Sequence, residues 1–427
     1  MVSSNRMLRG ISTGYESTCY KPIVVAFLIG HSIWCYGFSC HGNWSEVYTP
    51  QESDFPAALL WNRDKSVITS GHEALHQFKT KDLKDWYFFL QIANVFYLEK
   101  AITQNTMLKG YTGKDIKAIE VLEQSIRSQV EDFLHLIHKQ IQCRKESDVK
   151  YVFTVPTHSD DSIQQLIIEA ALRNGIPRSS ISMVLESEAA FFYHQYCFPR
   201  KWEQKKDSVG QKYLVANLGD KLSTLSVHYI SGDRSANQLL RISTGPWGLE
   251  SVCNEFETCL ADIIGNEQMQ RFKSEYCFEF IALVERFKQK FRSLKSSDSR
   301  DVITLIPLSM ANCVLENTST SLGETVSRSK YSEDVTLTND KLRWKRDRIF
   351  QFADKVIGQI IDQTETLLAS EMSDVTAILL TGHLSECGFV QMAMRKYFAN
   401  HHVLALNTQV AAVKGAVYIG HLVNSEN

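Results

Sequence analysis

Apolar residues fall along this chain in two rhythms. Dense short runs at Ile23–Ile29, Ile33–Ser39, Ala57–Trp61 and Tyr151–Val155 predict strands. Between them, Ile119, Leu122, Ile126, Val130, Phe133, Ile137 and Ile141 recur at steps of three or four, predicting an amphipathic helix over 116–143. Trp61 to Lys65 reads as a turn. A helix over 162–174 stops at Gly175, a short strand covers 183–185, and a further helix covers 188–196. Charged residues 200–212 read as a link. Beyond it, Lys212–Val215 and Leu225–Ile230 predict a hairpin around Gly219, followed by a strand over 239–243. Helices are expected over 249–264, 279–294, 340–369, 388–398 and 410–423, with strands over 377–381 and 403–406. Residues 295–340, rich in Ser, Thr and Asp, offer only short strand-like pieces such as 301–307. Strands and helices alternate in two sets, each opening on a hairpin around a glycine, which is the pattern of an α/β protein.

At 427 residues the chain has room for two large lobes or two to three domains. A net charge of −2 gives no electrostatic case for nucleic acid or an anionic membrane as partner. The ten cysteines are scattered singly and none forms a CxxC pair, so neither a zinc site nor a disulfide scaffold is suggested. A reducing, cytoplasmic setting follows as the expectation, and Asn43-Trp-Ser45 and Asn317-Thr-Ser319 read as chance sequons. Residues 22–38 are largely apolar behind a basic start, as a signal anchor would be. Gly30, His31 and Ser32 interrupt the run, however, which favours strand, tight turn and strand over a membrane span. Residues 1–21 are polar, lack periodicity and read as a flexible tail.

The stretch Val215-Ala-Asn-Leu-Gly-Asp-Lys-Leu222 has the layout of a hairpin that cradles phosphate. Such a hairpin needs a carboxylate for metal-bound water, glycines that let backbone amides approach, and a hydroxyl at its end. Here Asn217 takes the carboxylate position, Gly219 is the one glycine kept, and Asp220, Lys221 and Leu222 follow.

In order, these pieces resemble the actin-like ATPase domain of the 70 kDa heat-shock chaperones, in particular their divergent 12A and 12B subfamily. Val24 to Ser39 sits where the family has its first phosphate hairpin. Val152-Phe-Thr-Val-Pro156, Leu185-Glu-Ser-Glu-Ala-Ala190, Ser243-Thr-Gly-Pro-Trp-Gly248 and Lys414-Gly-Ala-Val417 resemble its TVP, LEPEAA, GGPWG and KGAV stretches. The resemblance runs from about residue 22 to about 423. It implies a two-lobed actin-like (ribonuclease H-like) α/β fold, with lobe I over 22–205 plus the C-terminal helix in 406–427, and lobe II over 206–405. The family's peptide-binding β-sandwich would follow residue 427, so it is not expected here, nor is client capture by that route.

The departures from the family shape the functional expectation. Its metal-facing Asp falls on Leu28 in the first hairpin and on Asn217 in the second, its first-hairpin Thr pair on His31 and Ser32, and its second acidic position on Thr224. Two glycines fall on Asp220 and Lys221, and a Thr on Leu222. The phosphoryl-transfer lysine would lie in 90–97, which has no basic residue, and the second glycine of the adenosine motif is His383. What survives as a residual nucleotide site is Gly30, Ser32, Glu186, Gly219, Gly245, Gly248, Glu285, Lys288 and Gly382.

Each survivor has a plainer reading. Glu186 is either a relic of the metal's surroundings or a cap on the helix expected near Glu188. Glu285 and Lys288 are spaced as a solvated helical ion pair, which is favoured over ribose contacts. Gly245 and Gly248 are expected to serve a turn at φ > 0 rather than to touch ligand. His31 and His383 invite a metal, but nothing else gathers near them in sequence, so none is expected. The aromatic residues of 86–97 read as core, with a partner groove as the lesser option.

Phosphoryl transfer is positioning plus charge neutralisation. Without the acids, the lysine and the loop glycines, no catalytic residue is expected. The chain reads as a non-catalytic interaction or scaffold module with an unidentified protein partner. ATP or ADP is at most held without efficient turnover. The alternative is a slow ATP-dependent chaperone-like protein.

Overall fold

The computed structural model describes the chain except residues 1–22, 30–32, 41–46, 50–54, 66–67, 81–84, 91–101, 141–148, 198–209, 231–236, 296, 298–299, 371–373, 407 and 423–427. The expected tail, Gly30, His31, Ser32 and the 91–97 segment lie outside the described residues. The described residues form a mixed α/β protein. It divides into two compact units, residues 1–207 with 409–427, and residues 208–408.

In the first unit, β1 (Ile23–Ile29) is buried along its length except at half-exposed Leu28. It pairs antiparallel with β2 (Ile33–Ser39), which pairs with β3 (Phe55–Pro56). β4 (Val149–Val155) runs parallel to β1, and β5 (Ile181–Leu185) parallel to β4, giving the order β5-β4-β1-β2-β3. Strands buried on both faces carry near-continuous apolar runs, as these do. One face packs on the Ala118–Gln140 helix, through Phe133 against Phe27 and Tyr151. On the other face Val24, Ala26 and Val152 meet Ala416 and Val417 of the Thr408–Leu422 helix. Gly415 permits that contact: a Cβ there would stand 1.8 Å from the Ala189 carbonyl oxygen. The Asp161–Arg173 helix starts at Asp160, whose side chain accepts from the Ile163 amide, and gives way to Gly175 at φ +79°.

The second unit repeats this topology. β6 (Lys212–Leu218), β7 (Ser223–Ile230) and β8 (Asn237–Gly245) form an antiparallel meander. β9 (Val375–Thr381) lies parallel to β6, and β10 (His402–Ala405) parallel to β9. The order β8-β7-β6-β9-β10 matches the first sheet strand for strand. Phe256, Phe287, Trp344 and Phe352 anchor the core beside this sheet, with the Phe256 and Phe287 rings stacked at 4.0 Å.

Four sequence expectations are corrected here. The long helix expected from residue 340 begins at Arg346, and Lys341–Trp344 is a strand. It pairs with Val335–Thr338 across a two-residue turn in which Asn339 takes φ +56°. Asn tolerates that conformation and the flanking residues alternate, so a hairpin wins locally over the helical pattern downstream. The Ser/Thr-rich stretch holds two helices, Leu308–Thr318 after Pro307 and Leu322–Arg328 behind a Ser321/Glu324 capping box. Asn266–Glu275 is a further unanticipated helix, separated from Leu249–Ile264 by Gly265 at φ +95°. The helix expected near Glu188 starts at Glu186. In the aromatic stretch, Phe88 and Phe89 are buried on the strand Tyr87–Leu90. No described helix is long and apolar enough to cross a membrane.

Candidate functional site

The β6–β7 hairpin carries the candidate site. Its register pairs Asn217 with Thr224 and Leu218 with Ser223, leaving Gly219, Asp220, Lys221 and Leu222 as the turn. The turn folds over the start of the Leu249–Ile264 helix. The Leu249 amide donates to the Gly219 carbonyl at 3.1 Å, and the Glu250 amide to the Asp220 carbonyl at 2.7 Å. First-turn amides are the groups with which a helix binds anions. Two of them here are engaged by the protein's own backbone.

The glycines sit where backbone meets backbone. A Cβ on Gly219 would lie 2.5 Å from the Leu222 carbonyl oxygen, one on Gly248 2.1 Å from that of Asp220, and one on Gly382 2.3 Å from that of Leu218. Gly382 also holds φ +88° and ψ 155°, a conformation essentially limited to glycine. The expectation of φ > 0 at Gly245 and Gly248 is corrected. Gly248 has φ −94°, and Gly245 is outside the set of positive-φ glycines. Space is the reason for both: a Cβ on Gly245 would stand 2.4 Å from the Trp247 ring.

Asp220 is the centre of charge. Its side chain is 3% exposed and its Oδ2 lies 3.0 Å from His383 Nδ1. The Gly382 turn and the short helix His383–Glu386 position the imidazole, with the Ser385 hydroxyl donating to the Gly382 carbonyl at 2.7 Å. Burial alone would lower the His383 pKa, but the charge and hydrogen bond of Asp220 outweigh it and hold it above the ordinary histidine value. Lys288 comes from the Cys277–Arg292 helix, and its Nζ lies 2.8 Å from Glu285 Oε1. Burial would discharge this ammonium too. The charges of Glu285 and then Asp220 prevail and keep it above the usual lysine range. Cys253 lies close by on the Leu249–Ile264 helix, and burial pushes its thiol up, so it stays neutral. Arg292 closes the edge with Glu386, Nη2 to Oε2 at 2.6 Å.

The structure thus brings together Gly219, Gly248, Gly382, Glu285 and Lys288 in the second unit, with Gly245 beside them at the end of β8. The solvated reading of the 285/288 pair is corrected: the Lys288 side chain is 6% exposed, and the charge of Asp220 acts on it as well as that of Glu285. The offset for the Asp220 charge comes from His383 and Lys288. This pairing was missed in sequence, although a signal existed. An acid and a histidine both stand where the resemblance places glycine.

In the first unit, Leu28 occupies the position that Asn217 holds in the second sheet. Each is the half-exposed residue just before the strand's end, and each lies opposite a threonine of the neighbouring parallel strand, Thr154 and Thr381. Glu186 is the first residue of the Glu186–Phe192 helix and Leu185 holds the N-cap position, so Glu186 is a first-turn acid of that helix rather than its N-cap. The Thr157 hydroxyl accepts from the Ser187 amide at 3.2 Å instead. Among the described residues, no three His, Cys, Asp or Glu side chains gather as a metal would require.

The architecture is that of an α/β protein with two sheets of one topology and a glycine-lined hairpin site. Comparison with known proteins gives what the chain is similar to. No family model matches the chain. It is 22% identical over 423 residues to heat shock 70 kDa protein 12A of Mus musculus, covering 86% of this chain and 63% of that protein. The human 12A protein gives the same identity and coverage. Human heat shock 70 kDa protein 12B is 22% identical over 425 residues, covering 86% of this chain and 62% of that protein. The chain is a divergent heat-shock-70-like protein related to 12A and 12B, and it spans less than two-thirds of the length of these relatives.

Proposed function

We propose that this chain is a non-catalytic member of the heat-shock-70-like group. It acts through protein interaction or scaffolding, on a two-lobed actin-like ATPase frame whose lobes are the two units. The repeated strand order supports the frame. The buried Asp220–His383 pair carries the functional reading. Two positions given to glycine by the resemblance hold side chains that neutralise each other, next to helix amides already bonded to the turn. A triphosphate arriving there would face a carboxylate instead of free amides. Leu28 and Asn217 supply no charge for a metal's water shell. Cys253, Cys259, Cys277, Cys313 and Cys387 are free thiols, which suits a cytoplasmic setting. The second reading, a slow ATP-binding chaperone-like protein, draws on the retained Lys288–Glu285 pair.

Thermal melting with ATP, ADP and adenosine, with and without magnesium, tests this reading. A ligand that binds the folded state raises the melting temperature by mass action. The expected result is no magnesium-dependent rise with ATP beyond that with adenosine. A magnesium-dependent rise specific to ATP would favour the second reading.

A further inference from the structure

The three-stranded sheet of the second unit, with order Val302–Leu305, Lys341–Trp344, Val335–Thr338, buries one face and shows the other to solvent. Val302, Thr304, Leu342, Trp344 and Val335 point into the core. The outer face is ordered in two rows. Register places Ile303 beside Arg343 beside Thr336, and Leu305 beside Lys341 beside Thr338. Each row therefore reads apolar, cation, hydroxyl. Ile303 is 44% exposed, Leu305 41%, and Leu308 just beyond them 76%. A single exposed aliphatic residue is ordinary, but three within six residues form an apolar strip. Alongside it, Lys341 and Arg343 are exposed and make no ion pair among the described residues.

We infer that this face docks an acidic amphipathic helix of a partner protein. The two rows are separated by two residues of strand, about 6.8 Å, and adjacent strands by about 4.8 Å. One step of four residues along a helix is about 6 Å. A helix laid along the strands would thus set apolar side chains at i and i+4 on Ile303 and Leu305. Carboxylates on one flank of that stripe would stand over Arg343 and Lys341, a strand's width away. The apolar strip provides the buried centre and the cations select an acidic flank, which gives orientation as well as attraction. This surface would serve the interaction role proposed above. Nucleotide plays no part in its test, so the two readings fail separately.

Fluorescence anisotropy with two stapled helical peptides tests the assignment. Both carry one leucine stripe; one is flanked by glutamates, the other by lysines. The glutamate peptide should bind the full chain, more tightly at low salt. Ile303→Ser with Leu305→Ser, and separately Lys341→Glu with Arg343→Glu, should each weaken binding by about tenfold or more. The charge-reversed variant should now prefer the lysine peptide. Unchanged circular dichroism and melting would show that both variants remain folded. Equal binding of the two peptides, or no switch in preference, overturns the inference. So does tighter binding of an unstapled extended acidic peptide, which would mean strand addition at the sheet edge. A dimer in light scattering that Ile303→Ser with Leu305→Ser dissolves would assign the face to self-association and likewise overturn it.

Discussion

A buried carboxylate needs a partner, and Asp220 has His383 in contact and the field of Lys288 besides. Because the folded His383 pKa stands above its ordinary value of 6.5, its contribution has a defined sign. It is fully present below about pH 6.5 and is lost as pH rises through the folded value. The charge and hydrogen bond of Asp220 raise this imidazole, Arg292 opposes them and Glu386 supports them. His383→Gln should therefore flatten the pH dependence of unfolding. Urea midpoints of wild type and variant should converge at alkaline pH and diverge in acid, by about 1.5–3 kcal/mol, the value of a charged hydrogen bond. Parallel curves would show that His383 titrates alike in the folded and unfolded chain, and so gains nothing from Asp220. Gly382 tests the packing of the same corner. Gly382→Ala puts a Cβ against the Leu218 backbone at a positive φ, with an expected cost of about 2–5 kcal/mol. An unchanged melting temperature would mean that β6 and β9 yield readily at this corner.

Elements with one strong period were readable in the sequence. The Ala118–Gln140 and Leu249–Ile264 helices and the β1–β2 and β6–β7 strands lie close to where the apolar spacing places them. What escaped was local chemistry that competes with a neighbouring pattern. The Asn339 turn and the Ser321 capping box are short signals beside a long helical run. The site was readable as a list of surviving glycines and charges. Its assembly was not, because the Asp220–His383 contact spans 163 positions of sequence and depends on the β6–β9 pairing. Two glycines of the Thr408–Leu422 helix serve close packing. Gly415 lies against Ala189, and a Cβ on Gly420 would come within 2.5 Å of Val24 Cγ1. Gly415→Val should force this helix off the Glu186–Phe192 helix and the β1–β4 face. Loss of the first unit's cooperative melt, with Gly358→Ala on an open helix surface as a silent control, is the expected readout. A Gly415→Val protein that melts like wild type would show that the C-terminal helix does not need this close approach.

At the scale of the whole molecule, two sheets of one topology offer two hairpin ends, and the family resemblance gives both to nucleotide phosphates. The surviving groups, Glu285, Lys288 and Gly382, belong to the adenosine end of that resemblance. Asp220 and Leu222 stand where amides and a hydroxyl would be needed for phosphate. Any nucleotide that binds should therefore do so through its adenosine, so adenosine and ATP should bind alike and magnesium should add little. In an intact site each charge-assisted hydrogen bond to phosphate would contribute about 1.5–3 kcal/mol. Isothermal titration reads the difference directly. Magnesium-ATP binding more than about a hundredfold tighter than adenosine, a gap of roughly 2.7 kcal/mol, would mean that the phosphate loops still function. The same chemistry sets the expected turnover. Without an acid at Leu28 or Asn217 to order a metal's water shell, phosphate release should stay below about 10⁻³ per second, a barrier of roughly 22 kcal/mol. Release faster than this, abolished by Gly219→Trp in a protein that still folds, would place catalysis in the β6–β7 hairpin and turn the assignment toward the slow ATPase.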